Sequence, residues 1–252
     1  MYTGNPAVPD DVFAEVLSKI SNFVRTRVVP RESEIMATDS IPEDLREQAA
    51  DMGLFGFAIP DEWGGLGLDL VQDVELAMEL GYTSLSFRSM FGTNNGIAGQ
   101  VLVGFGTTGQ QERWLPGIAS GDVVASFALT EPGAGSNPAG LRTSARPDVF
   151  ARIPGTAGGD GTTAVFLVPA DAPGVEVGPK DAKMGQEGSR TATVTFSGVR
   201  VGPESLVGGD AASGYRAAMT SLARGRIHVA ALAVGCAQRA LDEAVAHAVT
   251  AT

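Results

Sequence analysis

Apolar side chains recur at helical spacing in the first 120 residues, and proline or glycine interrupts the pattern where helices should end. The first predicted helix starts at a cap supplied by Asp10 or Asp11 and ends at Pro30. A second helix follows Ile41, with proline in its first turn, and stops near Gly53. In the first helix the apolar positions lie three or four residues apart, which is typical of a core-facing stripe: Val12, Phe13, Val16, Leu17, Ile20 and Val24.

The pattern then becomes irregular before it returns to helix. Four glycines and a proline in LFGFAIPDEWGGLGLDL exclude a continuous helix there. The next helix should begin at Asp69 or Asp73 and run through Leu80. Two more helices are predicted at about 84–105 and 108–120, the second with a threonine cap and an end at ASGD.

From Val123 the apolar positions alternate or run together with β-branched residues, which predicts strands. The three candidate strands are Ser126–Thr130, Ala164–Val168 and Thr191–Phe196, and clusters such as PGTAGGDG and PADAPG separate them. Helix returns at Gly214 and continues to about residue 250. Small side chains on this last helix give a surface that another helix could approach closely: Ala230, Ala231, Ala233, Gly235, Ala237, Ala240 and Ala244.

The order of elements therefore predicts three parts. Residues 1–122 form a helical domain, residues 123–207 form a β domain, and residues 208–252 form the helix that follows. A chain of 252 residues with 44% apolar side chains is long enough to bury a sizeable core in one large or two modest domains.

Charge and residue usage exclude several kinds of function. A formal net charge of −11 disfavours nucleic acid and anionic membrane surfaces as partners. No apolar run approaches the roughly 18 residues of a membrane span, and the first residues lack the features of a signal peptide, so we expect a cytoplasmic protein. One cysteine and two histidines exclude an internal disulfide and disfavour a zinc site.

These three residues also have ordinary interpretations. Cys236 is expected to be a small buried side chain on the last helix. His228 and His247 are expected to have core or surface roles, and no carboxylate partner for either is evident from the sequence.

The stretch ASFALTEPGAGSNPAGLRTSA, residues 125–145, joins a predicted strand to a glycine-rich turn. Such a turn exposes main-chain N–H groups, which a phosphate or a carbonyl-rich ring can accept. Phe127 and Leu129 offer apolar surface, and Thr130 and Ser136 add hydroxyl groups. A tight turn without any ligand has the same local pattern.

Longer segments resolve that ambiguity, because LTEPGAGSNPAGLRTSA resembles the signature of the acyl-CoA dehydrogenases. Further segments resemble the same family in the same order, and together they cover nearly the whole chain from about residue 10. They are DMGLFGFAIPDEWGGLGLD at 51–69, GFGTTGQQERWLPGIASGD at 104–122, KDAKMGQEGSRTATVTFSGVRVGPESLVG at 180–208 and ARGRIHVAALAVGCAQRALDEAVAHA at 223–248.

The resemblance implies an α+β fold with an N-terminal all-α domain, a middle antiparallel β domain and the start of a C-terminal helical bundle. It implies FAD as cofactor and an acyl-CoA thioester as substrate, which is oxidised to the trans-2-enoyl-CoA. A carboxylate takes the α-proton, and the β-hydrogen leaves as hydride to flavin N5. Members of the family are commonly homotetramers that pass electrons to an electron-transferring flavoprotein.

The resemblance also implies site residues. Phe127, Leu129 and Thr130 correspond to positions that contact the flavin ring, and Gly135 and Ser136 to positions near the FAD pyrophosphate or the thioester arm of CoA. Arg226 matches an arginine near the pantetheine and adenosine part of CoA. Leu222 and Ala223 line the same path.

The sequence departs from the family pattern in three places. After Arg146 it lacks the hairpin whose tryptophan stacks on the flavin, which indicates either an internal gap or a protein that cannot hold flavin in the usual way, and PDVFAR resembles a later strand. The catalytic carboxylate is expected beyond Thr252, because the alternative position on the last helix is Gly225. Glu131 belongs to the turn and is expected to be structural, and Asn137 replaces the aspartate of the Gly-Ser-Asp motif.

Three functions stay open at this point. The leading one is an FAD-dependent acyl-CoA dehydrogenase. The second is a non-catalytic relative that binds acyl-CoA or a protein and has lost flavin. The third keeps flavin but is an oxidase or a monooxygenase.

Overall fold

The computed structural model describes residues 8–137, 140–145 and 163–250. These residues contain eight α-helices and one two-stranded antiparallel sheet, in the order α, β, α that the sequence predicts. The α+β fold class is thereby confirmed. The predicted gap after Arg146 and the predicted strand at PDVFAR lie outside the described residues.

Helical structure continues past Pro30, where the first helix was predicted to end. Helix α1 spans Asp10–Phe23 and passes through a π-helical turn, Val24–Val28, into a 3₁₀ turn, Val29–Arg31. Pro30 lies at the start of that 3₁₀ turn, where proline's missing N–H costs little, so the prediction that the helix ends there is wrong. Helix α2, Glu32–Thr38, follows directly and had not been predicted.

The predicted cap of α1 is also wrong. Pro9 occupies the N-cap position and no side chain caps the helix. Asp10 and Asp11 lie in the first turn instead, where their charge favours the positive end of the helix dipole.

The next helices confirm the start and stop signals of the sequence. Helix α3 spans Glu43–Asp51 after Pro42 and ends at Met52, where Gly53 adopts a φ of 73°. Helix α4 spans Leu70–Leu80 and begins with a capping box between Asp69 and Gln72. The alternative start at Asp73 is wrong, because the helix already begins at Leu70 and Asp73 lies within its first turn.

The predicted helix at 84–105 is two α-helices joined by a π-helical turn. Helix α5 spans Leu85–Thr93, the π turn spans Asn94–Ala98 and helix α6 spans Gly99–Phe105. Helix α7 spans Thr108–Ser120, with Thr107 and Gln110 forming a capping box, and Gly121 ends it with a φ of 87°. The predicted threonine cap and the end at ASGD are both confirmed.

Four phenylalanines lie at the centre of the helical core. Phe55, Phe57, Phe87 and Phe91 are fully buried, and Phe91 contacts the other three rings at centroid distances of 5.6 to 6.3 Å in edge-to-face geometry. Each buried phenylalanine contributes roughly 1.5–3 kcal/mol of transfer free energy. This cluster ties the irregular segment after α3 to α5.

The described part of the β domain is a single hairpin-like sheet. Strand β1, Val175–Lys180, pairs with β2, Ala192–Phe196, and Val177 is opposite Val194. Strand β2 confirms the third predicted strand. Strand β1 was missed because a glycine and a proline interrupt its apolar pattern.

The other two predicted strands are wrong within the residues that the structure describes. Ser126–Thr130 belongs to no assigned strand, and in Ala164–Val168 only Phe166 forms a bridge, to Leu206. Ala164–Val168 pairs with Ser205–Val207 through two main-chain hydrogen bonds, which make one isolated bridge and no strand, and Ser126–Thr130 has no main-chain partner among the described residues.

Helix α8, Gly214–Thr250, packs mainly on α4. A Cβ on Gly235 would collide with the carbonyl oxygen of Met78, so the two helices approach by their main chains. Of the predicted small-residue surface, only Ala231 and Gly235 are buried. Cys236 is exposed, and the prediction that it is buried is wrong because Gly235 takes the inward position.

Over the residues described, no helix has both the length and the apolar character that a membrane crossing requires.

Candidate functional site

The segment that leads to the glycine-rich turn is held at its start by Asn94. The Asn94 Oδ1 atom accepts a hydrogen bond from the Ala125 N–H at 2.8 Å. Its Nδ2 donates to the carbonyl oxygens of Val123 at 2.8 Å and Ile118 at 3.1 Å. Asn94 is fully buried in the π turn, a kind of turn that is frequent at functional sites. The sequence analysis missed this residue.

The following five residues have one side anchored in the protein. Phe127 and Leu129 are half-buried, whereas their neighbours in the segment are exposed. Phe127 packs against the cluster of Val101, Val207 and Ala217. The segment is therefore fixed between α6 and the first turns of α8.

The main chain of Ser126–Thr130 makes no hydrogen bond to other residues in the described part of the chain. Main-chain N–H and C=O groups that have no partner among the described residues can bind the edge of a polar ring, and Phe127 and Leu129 lie on the same run. These features fit the expected contacts with a flavin.

Glu131 has a structural role, as the sequence predicts. Its N–H donates to the Ala134 carbonyl oxygen at 3.1 Å, and the Ala134 N–H donates back at 3.0 Å. Its carboxylate accepts from the N–H groups of Arg142 at 2.7 Å and Thr143 at 2.8 Å. Hydrogen bonds from Thr143 and Arg142 lower the pKa of Glu131, so the residue stays charged and closes the loop.

Packing among the described residues does not require glycine at positions 133 and 135. Neither has a positive φ, and a Cβ added to either would meet no atom within 4 Å. Nothing within the described chain therefore requires glycine at these positions. Open space above two glycines beside the exposed Ser136 fits a phosphate or thioester group that approaches the main chain.

The predicted CoA-facing residues share one side of α8. Leu222 is half-buried, and Ala223 and Arg226 are exposed, at spacings of three and four residues that place them on the same face. Arg226 forms no hydrogen bond or ion pair with the described residues. Its charge is available to an anionic ligand.

The structure relates the two groups of predicted residues through α8. Phe127 reaches the helix beside Ala217, and Arg226 lies nine residues further on, which is about 14 Å along the axis. A separate cleft of about 410 Å³ lies between α7 and the β domain, and Arg113, Trp114 and Arg200 are among its lining residues. None of the predicted site residues line that cleft.

A buried cluster of charged residues behind the Arg226 face was also missed. Asp73 and His228 are fully buried and 2.6 Å apart, so His228 has a core position, one of the two roles expected for it, and a carboxylate partner that the sequence did not reveal. Arg224 and Arg88 complete the cluster. Burial lowers the pKa of Arg88, against the opposing effect of the Asp73 charge. The partners lie more than 130 residues apart in sequence, so no local signal could have revealed them.

Metal chemistry has no support in the described ranges. There, no group of three or more histidine, cysteine, aspartate or glutamate side chains could hold a metal ion.

Comparison with known families gives two matches along this chain. Residues 13–122 match the model described as the acyl-CoA dehydrogenase N-terminal domain, and residues 212–252 match the acyl-CoA dehydrogenase C-terminal domain.

Curated relatives carry the same name. The human mitochondrial very long-chain specific acyl-CoA dehydrogenase is 32% identical over 94% of this chain. An acyl-CoA dehydrogenase and a probable acyl-CoA dehydrogenase of Bacillus subtilis strain 168 are each 30% identical, over 91% and 92% of it. The chain spans 40% of the length of the human relative, and 66% and 67% of the bacterial ones.

Solved structures with the same fold include butyryl-CoA dehydrogenase from Megasphaera elsdenii, with a TM-score of 0.84 at 25% identity, covering 96% of this chain and 70% of that one. A glutaryl-CoA dehydrogenase from Mycobacterium smegmatis in complex with FADH2 has a TM-score of 0.82 at 25% identity, with coverage of 94% and 65%. A structure described as the electron transferring flavoprotein of Acidaminococcus fermentans has a TM-score of 0.82 at 27% identity, with coverage of 98% and 70%.

Proposed function

Because the chain belongs to the acyl-CoA dehydrogenase family, we propose that the whole protein oxidises an acyl-CoA thioester to the trans-2-enoyl-CoA with FAD as cofactor. The observation that carries the proposal is the segment from Phe127 to Ser136. It combines two half-buried apolar side chains, a main chain that up to Thr130 has no hydrogen bond to the described residues, and two glycines whose Cβ positions meet none of the described atoms.

When bound, FAD supplies the electron acceptor that the oxidation requires and that no side chain can provide. In this proposal, the main chain of Ser126–Thr130 and the hydroxyl of Thr130 bind the polar edge of the ring. Phe127 and Leu129 cover its apolar part. The N–H of Gly135 and the hydroxyl of Ser136 donate to phosphate oxygens or to the thioester arm.

The residues of α8 are proposed to bind the substrate. Arg226 neutralises an anionic part of CoA, and Leu222 and Ala223 line the path of the pantetheine chain. Binding along this face orients the thioester toward the Phe127–Ser136 segment, which adjoins the first turns of the same helix.

We place the base that takes the α-proton beyond Thr252. Two positions near the expected chemistry offer no free carboxylate: residue 225 is glycine, and Glu131 accepts the N–H groups of Arg142 and Thr143. The proton must go to a group with an unoccupied oxygen in reach of the substrate.

The remaining parts of the proposal concern partners and location. The protein is proposed to be a cytoplasmic homotetramer that passes electrons to an electron-transferring flavoprotein. The family resemblance supports these assignments, and the similarity to a structure described by that partner's name agrees with the last of them.

The first test is a visible absorption spectrum of the purified full-length protein, before and after anaerobic addition of butanoyl-CoA or hexadecanoyl-CoA. Flavin bands that bleach with either substrate are the expected result, and the preferred substrate reports the chain length. A folded, full-length protein that takes up no flavin from added FAD would instead favour the non-catalytic relative. Rapid oxygen consumption during turnover would favour an oxidase or a monooxygenase.

A glycine variant tests the site itself. Gly135→Val should lower the affinity for FAD about tenfold or more, because the new side chain fills the space above the turn. The melting temperature of the FAD-free protein should stay unchanged, because that space contains no atom of the described residues. Gly109→Val is the matched control, since its Cβ also meets no atom within 4 Å. Equal FAD binding by both variants would contradict the assignment of Gly135.

A further inference from the structure

Asp73 binds two residues of α8 with one carboxylate oxygen. Its Oδ2 accepts from Arg224 Nε at 2.9 Å and Nη2 at 2.5 Å, and from His228 Nε2 at 2.6 Å. Arg224 and His228 are four residues apart and therefore lie on the same face of the helix. A further hydrogen bond joins Arg224 Nη1 to Gln100 Oε1 at 3.0 Å, so α4, α6 and α8 meet in one polar contact.

Arg88 adds α5 to the same contact and fixes the tautomer of His228. Its Nη2 lies 2.5 Å from His228 Nδ1. Because a guanidinium can only donate, Nδ1 accepts this bond, and the hydrogen of the ring is on Nε2, where it points at Asp73. Gly92 and Gly96 make space for the side chains of Arg88 and His228. A Cβ on Gly92 would collide with Arg88, and one on Gly96 would lie 3.3 Å from His228 Nδ1.

The burial of these charged side chains costs free energy of desolvation. Asp73 Oδ1 and Arg88 Nε are buried and have no hydrogen-bond partner among the residues that the structure describes. Well-packed apolar residues often stabilise a core as well as a buried charge cluster or better, because desolvation opposes the gain from pairing. Stability alone is therefore a weak explanation for four charged or polar residues here, and a role in geometry is the stronger one.

The geometry in question is the rotation of α8 about its own axis. Successive residues of an α-helix are about 100° apart, so Arg226 points about 200° away from Arg224. With Arg224 and His228 held inward by Asp73, Arg226 must face outward, as observed. A slip of the helix by one residue would turn the whole face that carries Leu222, Ala223 and Arg226 by about 100° about the helix axis.

We propose that Asp73, Arg88, Arg224 and His228 form a positioning network that sets the rotation of α8 and thereby aims Arg226 at the CoA part of the substrate. The inference rests on the proposed function, because it assigns a purpose to the Arg226 face. The four residues act through Arg226 and do not themselves touch the substrate.

The test is a double-mutant cycle between Asp73→Asn and Arg226→Ala in the full-length holoenzyme. Each single change should raise the KM for acyl-CoA about tenfold with kcat within about twofold, since both remove binding of the same group. The double variant should be little worse than either single one, because a misdirected Arg226 contributes nothing further. Glu75→Gln is the matched control, since Glu75 is an exposed carboxylate on the same helix.

A truncated substrate separates positioning from general damage. With an acyl-N-acetylcysteamine thioester, which lacks the nucleotide of CoA, Asp73→Asn should leave KM and kcat unchanged. The proposal would be overturned if the KM increases of the two single variants multiplied in the double variant. It would also be overturned if Asp73→Asn raised KM equally on the truncated thioester. If Asp73→Asn does not fold, Arg224→Lys, which keeps the charge but removes the fork, takes its place with the same expected results.

Failure of the proposed function would have a different signature. If no acyl-CoA reduces the wild-type holoenzyme, the proposed function is contradicted, and the proposal of a positioning network that depends on it is contradicted too. A wild-type enzyme that turns over acyl-CoA while Asp73→Asn behaves like Glu75→Gln would remove the network alone.

Discussion

At the scale of single residues, the hydrogen-bond partners of a polar side chain indicate its role in the described structure. Glu131 carries a carboxylate in the middle of the candidate site, yet its oxygens bind main-chain N–H groups of its own loop. Arg226 lies on an exposed helix face without a partner in the described residues. The first residue therefore supports the loop, and the second is available to a ligand.

Asn94 allows a sharp test at this scale. Asn94→Ala should lower the free energy of unfolding by about 2–3 kcal/mol, because it leaves the Ala125 N–H and the Val123 carbonyl without partners. Chemical denaturation of the FAD-free protein measures the change. The variant should also bind FAD more weakly, since the segment that Asn94 anchors begins at Ala125.

Asn22→Ala on the exposed side of α1 is the control for this change. Its unfolding free energy should stay within about 0.5 kcal/mol of the wild type. An Asn94→Ala variant that matches Asn22→Ala in both stability and FAD affinity would refute the role given to Asn94.

At the scale of elements, the sequence predicted best what is decided locally. The capping boxes at Asp69 and Thr107 satisfy N–H groups three residues away, so the sequence predicted a threonine cap for α7 and limited the start of α4 to Asp69 or Asp73. Strand β1 depends on pairing with β2. The contact between Asp73 and His228 depends on the packing of α4 against α8, since the two residues are 155 positions apart in the sequence. Such features follow from tertiary packing, which no short pattern contains.

The crossing of α4 and α8 gives a prediction about a whole element. Gly235→Val should destabilise the protein by about 2–3 kcal/mol or more, because the side chain would collide with the main chain of Met78 and push the helices apart. Thermal and chemical unfolding both report the loss. Ala233→Val, at an exposed position on the same helix, controls for the lower helix propensity of valine. Equal stability of the two variants would show that α8 does not pack on α4 through Gly235.

At the scale of the whole molecule, an ion pair joins the helical part to the β part. Lys180 in β1 lies 2.6 Å from the Asp39 carboxylate at the end of α2, and the Gly188 N–H donates to the same carboxylate at 2.7 Å. The hydrogen bond from Lys180 is the main cause that lowers the pKa of Asp39, and the Gly188 N–H adds to it. The carboxylate therefore binds its proton less readily in the folded protein than in the unfolded chain.

This shift fixes the sign of a pH dependence. A lowered pKa in the folded state means that the contact stabilises the protein above the ordinary aspartate pKa of about 3.9 and is lost as the pH falls through the folded value. Wild type should therefore be more stable than Asp39→Asn at pH 7, and the difference should vanish in acid. Asparagine suits this comparison, since residue 39 has a φ of 49° and asparagine tolerates that conformation. Denaturation curves from neutral to acidic pH measure this difference in stability, and the same pair of proteins in a Lys180→Met background tests its cause. The pH-dependent difference should shrink once Lys180 is replaced. A difference that keeps its full size there would assign the effect to some other partner of Asp39.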